Sequence, residues 1–328
     1  MASAPMPARP RVPDPMRAPA RLLVAATLAL TGLAGCDVPV AVAPQAVTPP
    51  PPRARPVQPE PSALSRATHD YFAAIQNSLL MRGLLRTDRG GRDTPFNDRN
   101  LADNFVRIAL FDEYTAQNGT FIARQTESRL RRWEQPVRME VEFGASVPFA
   151  QQARDRAAVA AFAGELAQAA NHPISVAANP NFHVLVLNED ERLGIAPRLR
   201  QLVPGIAESD ISTIVNMQRS TFCLVFAFSD GRSSTYGKAV AVIRGEHPDL
   251  LRQSCFHEEL AQGLGLANDS PAARPSIFND DEEFALLTRQ DALMLRILYD
   301  PRLKPGMTVA TARPIVQTIA YELLGGES

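Results

Sequence analysis

The spacing of apolar residues predicts helices and strands from about residue 65 to the end of the chain. Tyr71, Ile75 and Leu79 fall on one helical stripe, and Val137 to Phe143 alternates apolar with charged residues as a half-exposed strand does. Similar patterns predict helices over 65–85, 101–111, 153–170, 248–264, 280–299 and 310–324, with a capping box at Asp280 and Glu283 opening the fifth. Further strands are predicted over 182–187, 222–228 and 238–243. Strands alternate with helices in the middle and helices close the end, which predicts one α/β (α+β) domain over 65–328, a small mixed sheet with packed helices.

The N-terminal residues have the pattern of an export signal. Arginines precede the apolar run 22–33, which is too short to span a bilayer and ends in Leu33-Ala34-Gly35-Cys36. This ending resembles the lipobox of bacterial lipoproteins, in which the cysteine is lipidated and becomes the new N-terminus. We therefore expect a signal peptide over 1–36 and a membrane anchor at Cys36. A plain secretory signal with a chance cysteine is the alternative.

A proline-rich segment separates this signal from the domain. More than half of the 28 prolines lie in the first sixty-odd residues, including the run from Pro49 to Pro52. Such a composition cannot bury enough apolar surface to fold, and it favours extended polyproline II. The sequence predicts a disordered tether over 37–64 that holds the domain away from the lipid surface of the cell envelope.

The charge balance excludes one class of partner, and the cysteines predict a covalent link. Lys and Arg total 34 against 35 Asp and Glu, so no basic surface for nucleic acid is expected. Apart from Cys36 the cysteines are Cys223, in a predicted strand, and Cys255, at the start of a predicted helix. In an oxidising envelope two such thiols often pair, which favours a disulfide over two free thiols.

The segment 255–269 is the best candidate for a functional site. His257-Glu258 begins like the H-E-x-x-H helix of zinc peptidases, but Ala261 stands where the second histidine belongs. The following Leu264-Gly265-Leu266 resembles the metzincin motif H-E-x-x-H-x-L-G-L-x-H in another register. This resemblance puts Glu259 at the catalytic glutamate and Gly265 at the structural turn. It also implies a zincin-like fold in which 238–243 is the edge strand.

The metzincin ligand positions are occupied by other residues. In this register the positions of the three histidines, and the residue beside the last, fall on Glu258, Gln262, Asn268 and Asp269. Neutral amides are poor zinc ligands, so no cofactor is expected, although an oxygen-rich set leaves a divalent metal such as Ca²⁺ or Mg²⁺ open.

The sequence also resembles a family of uncharacterised bacterial lipoproteins, the domain-of-unknown-function family 2927. The resemblance rests on residues 257–269, 276–284 and 299–301 and extends over nearly all of the chain after the tether. It implies export and a zincin-like fold, and it supplies no activity.

Three functions remain open at this point. The first is a binding protein that takes an envelope protein, a peptide or a cell-wall partner in a groove beside the motif helix and has lost peptidase activity. The second is an active metal-dependent hydrolase or peptidase with an unusual ligand set and Glu259 as general base. A metal-free form of it would use His257 as the partner of Glu259, although residues two apart on a helix diverge in direction. The third is a purely structural lipoprotein.

Overall fold

The computed structural model describes residues 57–117, 120–229, 231, 233–279 and 281–325, with the backbone alone for 113–117 and 120–125. The predicted signal peptide over 1–36, the lipidation of Cys36 and most of the tether over 37–64 concern residues outside this range. Within the described ranges no helix has both the length and the apolar character needed to cross a bilayer.

The described residues fold into a mixed α/β domain within the compact unit Pro56–Ser328. The helices are α1 (Ala63–Met81), α2 (Asp98–Ala109), α3 (Phe149–Ala170), α4 (Glu189–Arg192), α5 (Ala196–Leu202), α6 (Glu208–Val215), α7 (Asp249–Gln262), α8 (Arg289–Leu298) and α9 (Val309–Leu324). The strands are β1 (Phe111–Gln117), β2 (Thr120–Glu127), β3 (Val137–Phe143), β4 (Ile174–Val176), β5 (Phe182–Leu187), β6 (Cys223–Ser229) and β7 (Tyr236–Arg244). The predicted fold class, one mixed α/β domain, is confirmed.

The main sheet has the strand order β4-β3-β5-β7-β6, and β1 and β2 form a separate antiparallel hairpin. Strands β3, β4, β5 and β7 run parallel, whereas β6 is antiparallel to β7 and forms one edge. The prediction that 238–243 is the edge strand is therefore wrong, because β7 lies between β5 and β6. Its residues Ala239 to Ile243 are fully buried, as is typical of an interior strand covered on both faces.

Helices cover both faces of this sheet. On one face Val184 and Ala241 join the main core with Phe162 of α3 and Leu260 of α7. On the other face a smaller core forms around Leu185, and it includes Leu199 of α5, Ile211 of α6 and Val242 of β7. The motif helix and the short helices α5 and α6 thus lie on opposite sides of the sheet, and β6 borders both.

The start of α8 differs from the prediction. The helix begins at Arg289, and Thr288 caps it: its side chain accepts a hydrogen bond from the backbone N–H of Asp291, whose carboxylate accepts one from the N–H of Thr288. Asp280 lies outside the described residues. The predicted helix start at 280 is wrong, since Glu283 lies in the irregular segment before α8 and donates its N–H to the side chain of Asp281. Acidic side chains can cap a helix or bond to the backbone of a turn, and the spacing of the acidic residues in the sequence did not distinguish these two roles.

Residues at the end of the predicted tether contact the domain. The Gln58 side chain donates to the carbonyl of Val147 and accepts from the N–H of Phe149, just before and at the start of α3. The N–H of Ser62 donates to the carboxylate of Asp190 at 2.9 Å. These bonds fix the point at which the chain enters the domain.

Candidate functional site

The side chains of the motif helix α7 point to different sides of the helix. Phe256 and Leu260 enter the main core. Cys255, which also belongs to this core, shares another face with Glu259 and Gln262, since the three follow one another at spacings of four and three residues. Glu258 lies beside this face. The acidic and amide side chains of α7 therefore face the edge strand β6.

A disulfide fastens this helix to the edge strand. Cys223, the first residue of β6, is bonded to Cys255 of α7 with the Cα atoms 5.9 Å apart, which confirms the predicted pair. Cys255 is one helical turn before Glu258 and Glu259, so the covalent link stands at one end of the space between helix and strand.

That space is a cleft of about 910 Å³, a volume within the range of small-ligand sites. Most of its lining falls into a polar wall, an apolar strand and an acidic wall, and it also includes Arg131, which forms an ion pair with Asp112. The polar wall consists of Ser209, Ser212, Thr213, Asn216, Ser220 and Thr221. The strand contributes Phe222, Cys223, Leu224, Val225, Phe226 and Ala227, and the acidic side carries Glu258, Glu259, Asp269 and Glu282 together with Gln262.

The hydrogen-bond pattern shows which backbone groups of β6 face the cleft. Ala239 and Gly245 donate their N–H groups to carbonyls on the β5 side, so the even-numbered residues of β7 face β6. Their partners in β6 are Leu224 and Phe226, opposite Val242 and Val240. The N–H and C=O groups of Val225 and Ala227 consequently point outward, away from the sheet.

Glu258 and Glu259 form the acidic centre of the cleft. One oxygen from each carboxylate lies within 4.8 Å of the other and of the Cys223 sulfur. Glu259 is only 3% exposed, and Glu258 is partly buried. The Cys223 sulfur is in the disulfide and offers no thiolate, so the pair can orient a cationic or hydrogen-bonding group of a ligand.

The remaining metzincin-register positions do not form a zinc site with this pair. Gln262 lines the cleft and donates through Nε2 to Asp269 at 3.0 Å. Asn268 is fully buried and donates Nδ2 to the Arg107 carbonyl at 2.8 Å, away from the lining residues. Its Oδ1 is a neutral oxygen, which zinc accepts poorly. The residues at these positions do not fit a metzincin zinc ion.

His257 lies on another side of the helix from Glu259. Its ring stacks on Phe162 of α3 at a centroid distance of 3.8 Å, and its Nδ1 accepts from the N–H of Leu287. Burial, with a smaller contribution from Arg89, lowers the pKa of His257 to about 3. The imidazole is therefore neutral at ordinary pH, and the structure does not bring it to Glu259 as a proton-transfer partner.

Gly265 turns the chain shortly after α7. Its φ is +128°, and a Cβ placed on it would lie 2.3 Å from the carbonyl oxygen of Arg131. Only glycine has both this backbone freedom and the space for so close an approach. The turn directs Ala267 and Asp269 back to the cleft.

Two parts of the cleft were missed from the sequence. The polar wall comes from α6 and the loop after it, whose many Ser, Thr and Asn residues resemble an ordinary surface segment. Glu282 joins the acidic side from a non-helical segment in which its φ is +58°. A lone residue in a loop gives no signal of its spatial neighbours.

Comparison with known proteins adds the family. No curated protein and no solved structure matches the chain. The match to a family description covers residues 98–318, which include most of the sheet, the motif helix and the cleft. The chain therefore belongs to the family described as "Protein of unknown function (DUF2927)".

Proposed function

We propose that this chain is a lipid-anchored cell-envelope protein that binds an extended segment of a protein or peptide in the cleft between β6 and α7. The observation that carries the proposal is the edge strand, whose outward N–H and C=O groups at Val225 and Ala227 border the cleft. An extended segment can pair with such an edge and place alternate side chains into the two walls.

The composition of the walls supports a peptide rather than a purely apolar ligand. One wall offers hydroxyl and amide groups and the other carboxylates, so both main-chain and basic side-chain groups of a peptide find partners. Phe222, Leu224 and Val225 supply apolar surface between them. The sugar chain of a cell-wall fragment would use the same polar groups, but it has no peptide main chain to pair with the strand.

A metzincin-like origin of the scaffold is part of the proposal. An antiparallel edge strand beside a helix that is followed by Leu264-Gly265-Leu266, with the cleft between them, supports it. The replaced ligand positions favour a binding function over peptidase activity. The acidic pair keeps the rival hydrolase testable, because a carboxylate such as Glu259 can activate water.

The membrane anchor is tested at Cys36. We expect Cys36→Ser to release the protein from the membrane fraction, because the acyl chains would supply the membrane affinity. Fractionation of cells expressing the full chain, with Gln45→Ala in the predicted tether as the control that keeps Cys36, measures the distribution. Continued tight association of the Cys36→Ser variant with membranes would rule out the lipid anchor.

The cleft is tested with peptides selected from a random library on the full wild-type chain. Val225→Pro removes an outward N–H without removing a bond to β7, and we expect it to weaken binding of the selected peptides by about tenfold or more. Val176→Pro is the matched control: Ala177 donates its N–H inward to Met139, so that of Val176 points outward at the opposite edge. Equal binding by both variants would contradict strand pairing at β6.

Glu259→Gln separates the binding and hydrolase functions. In a binding protein the substitution leaves the fold nearly intact, since an amide of the same shape replaces the carboxylate. Peptide binding is retained, since Glu258, Asp269 and Glu282 keep carboxylates in the acidic wall. In a hydrolase it abolishes turnover, which mass spectrometry of the selected peptides would detect in the wild type. Cleavage by the wild type alone would replace the binding proposal with the enzymatic one.

A further inference from the structure

A second group of ionisable residues lies on the sheet face that carries α5, remote in the fold from the motif helix. Glu140 and Glu142 are two residues apart in β3, so their side chains point to the same face. His183 in β5 is directly opposite Glu140 in the parallel register. The strand pairing therefore brings one imidazole and two carboxylates together.

The three side chains approach one another closely. The His183 Nδ1 atom lies 3.5 Å from an oxygen of Glu142 and 3.9 Å from an oxygen of Glu140. Ligand atoms from all three residues lie within 4.8 Å of one another. Neither distance from Nδ1 is that of a hydrogen bond to nitrogen, which is about 2.7–3.2 Å.

His183 is buried, and its Nδ1 atom has no hydrogen-bond partner among the described residues. The residue is 4% exposed. A buried polar atom without a partner is rare and destabilises the folded state. Glu140 and Glu142 keep 48% and 25% of their side-chain surfaces exposed, so the group opens to solvent on the carboxylate side.

Burial disfavours the charged form of the His183 ring, and Arg198 fixes one carboxylate. Burial lowers the pKa of His183, while Glu142 raises it and Lys238 lowers it to smaller extents. A neutral imidazole can present a lone pair at Nδ1 when its proton is on Nε2. Arg198 of α5 donates to both oxygens of Glu142, at 2.7 and 2.9 Å, and so orients that carboxylate as an outer partner of a ligand does.

We propose that His183, Glu140 and Glu142 form a binding site for a divalent transition-metal ion, with Zn²⁺ as the first candidate. Zinc takes imidazole nitrogen and carboxylate oxygen at about 2.0–2.2 Å, so neighbouring ligand atoms in a tetrahedral site are about 3.4 Å apart. The distances of 3.5 and 3.9 Å need only small side-chain movements to match this. Three protein ligands leave one position for water.

This site is independent of the cleft. Its ligands come from β3 and β5 in the interior of the sheet, whereas the cleft lies along β6 and α7. A metal at His183 thus requires none of the metzincin-register residues. The two proposals can fail separately.

The test is Zn²⁺ titration of the full chain, purified in detergent without chelator or nickel affinity, followed by calorimetry. We expect one equivalent to bind and Glu140→Gln and His183→Gln each to weaken the affinity by at least about tenfold. Co²⁺ substitution should give a visible absorption band that both variants lose. His172→Gln is the matched control, since its Nε2 bonds to the Gln135 carbonyl, and it should bind Zn²⁺ as the wild type does.

Circular dichroism of each variant decides which comparison is valid. If His183→Gln fails to fold, Glu140→Gln decides, because that side chain is half-exposed and its loss leaves no buried gap. A folded wild type that binds no Zn²⁺, or binding that both variants leave unchanged, would overturn the proposal. If Glu259→Gln were the one variant that lost Zn²⁺ binding, the metal site would be in the cleft, and the proposal would be overturned as well.

Discussion

Replacing Gly265 with alanine is expected to lower the free energy of unfolding by about 3 kcal/mol or more. The new Cβ would lie 2.3 Å from the backbone oxygen of Arg131 and 3.1 Å from a methyl group of Leu298. The neighbouring backbone has little freedom to move away, because Leu130 and Arg132 are hydrogen-bonded to Met307 and Tyr236. Alanine also rarely adopts a φ of +128°.

Gly164→Ala is the matched control for this substitution. Gly164 lies within α3, and a Cβ added there meets no atom within 4 Å. Alanine is a better helix former than glycine by about 0.8–1.0 kcal/mol, so the same chemical change should stabilise the protein at this position. Urea denaturation of both variants gives the comparison. Similar unfolding free energies for the two variants would mean that the turn after α7 is not constrained by Arg131.

The elements predicted correctly were those whose apolar pattern was strong and local. The stripe over 65–85 became α1, the continuous apolar run over 182–187 became β5, and the Ala-rich segment ended, as predicted, at Asn171, which is left-handed in the structure. These patterns depend on neighbours along the chain. They are therefore present in the sequence before any tertiary contact forms.

The errors concerned information that is not local. The run 238–243 looks the same as an edge or an interior strand until β6 pairs on its far side. Phe111 has helical spacing from Leu101 but begins β1, because the hairpin pairs Phe111 with Glu127. The short helices α4 to α6 were missed since each has fewer than nine residues and little periodicity to detect.

The candidate site shows the same division. Counting from Gly265 placed Glu259 and Gln262 on the helix face that meets the cleft. The presence of two cysteines in a chain that we expect to be exported predicted the bond between them. Asn268 shows where the motif register fails to predict a direction. This residue lies in a loop, where hydrogen bonds set the direction of the side chain, and it donates to the Arg107 carbonyl. The group of Glu140, Glu142 and His183 was beyond reach, since it depends on the parallel register of β3 and β5.

The disulfide joins the edge strand β6 to the helix α7, and the proposed peptide would contact both elements. Loss of the disulfide should therefore affect both stability and binding. The two cysteines are 32 residues apart, and in the chain-entropy model closing a loop of this size stabilises the folded state by about 3–4 kcal/mol. We expect the double variant Cys223→Ala, Cys255→Ala to lose about that much unfolding free energy. Both sulfurs are at buried residues, so alanine also leaves a small cavity.

The same double variant should bind the selected peptides more weakly than the Val176→Pro control, because β6 and α7 would no longer be held at a fixed separation. Wild type measured with a strong thiol reductant is the matched control, since it breaks the bond without changing the side chains. Agreement between the reduced wild type and the variant would assign both effects to the covalent link. A large loss of stability with unchanged peptide affinity would show instead that the bond stabilises the fold alone, and that noncovalent packing of β6 and α7 is sufficient to set the width of the cleft.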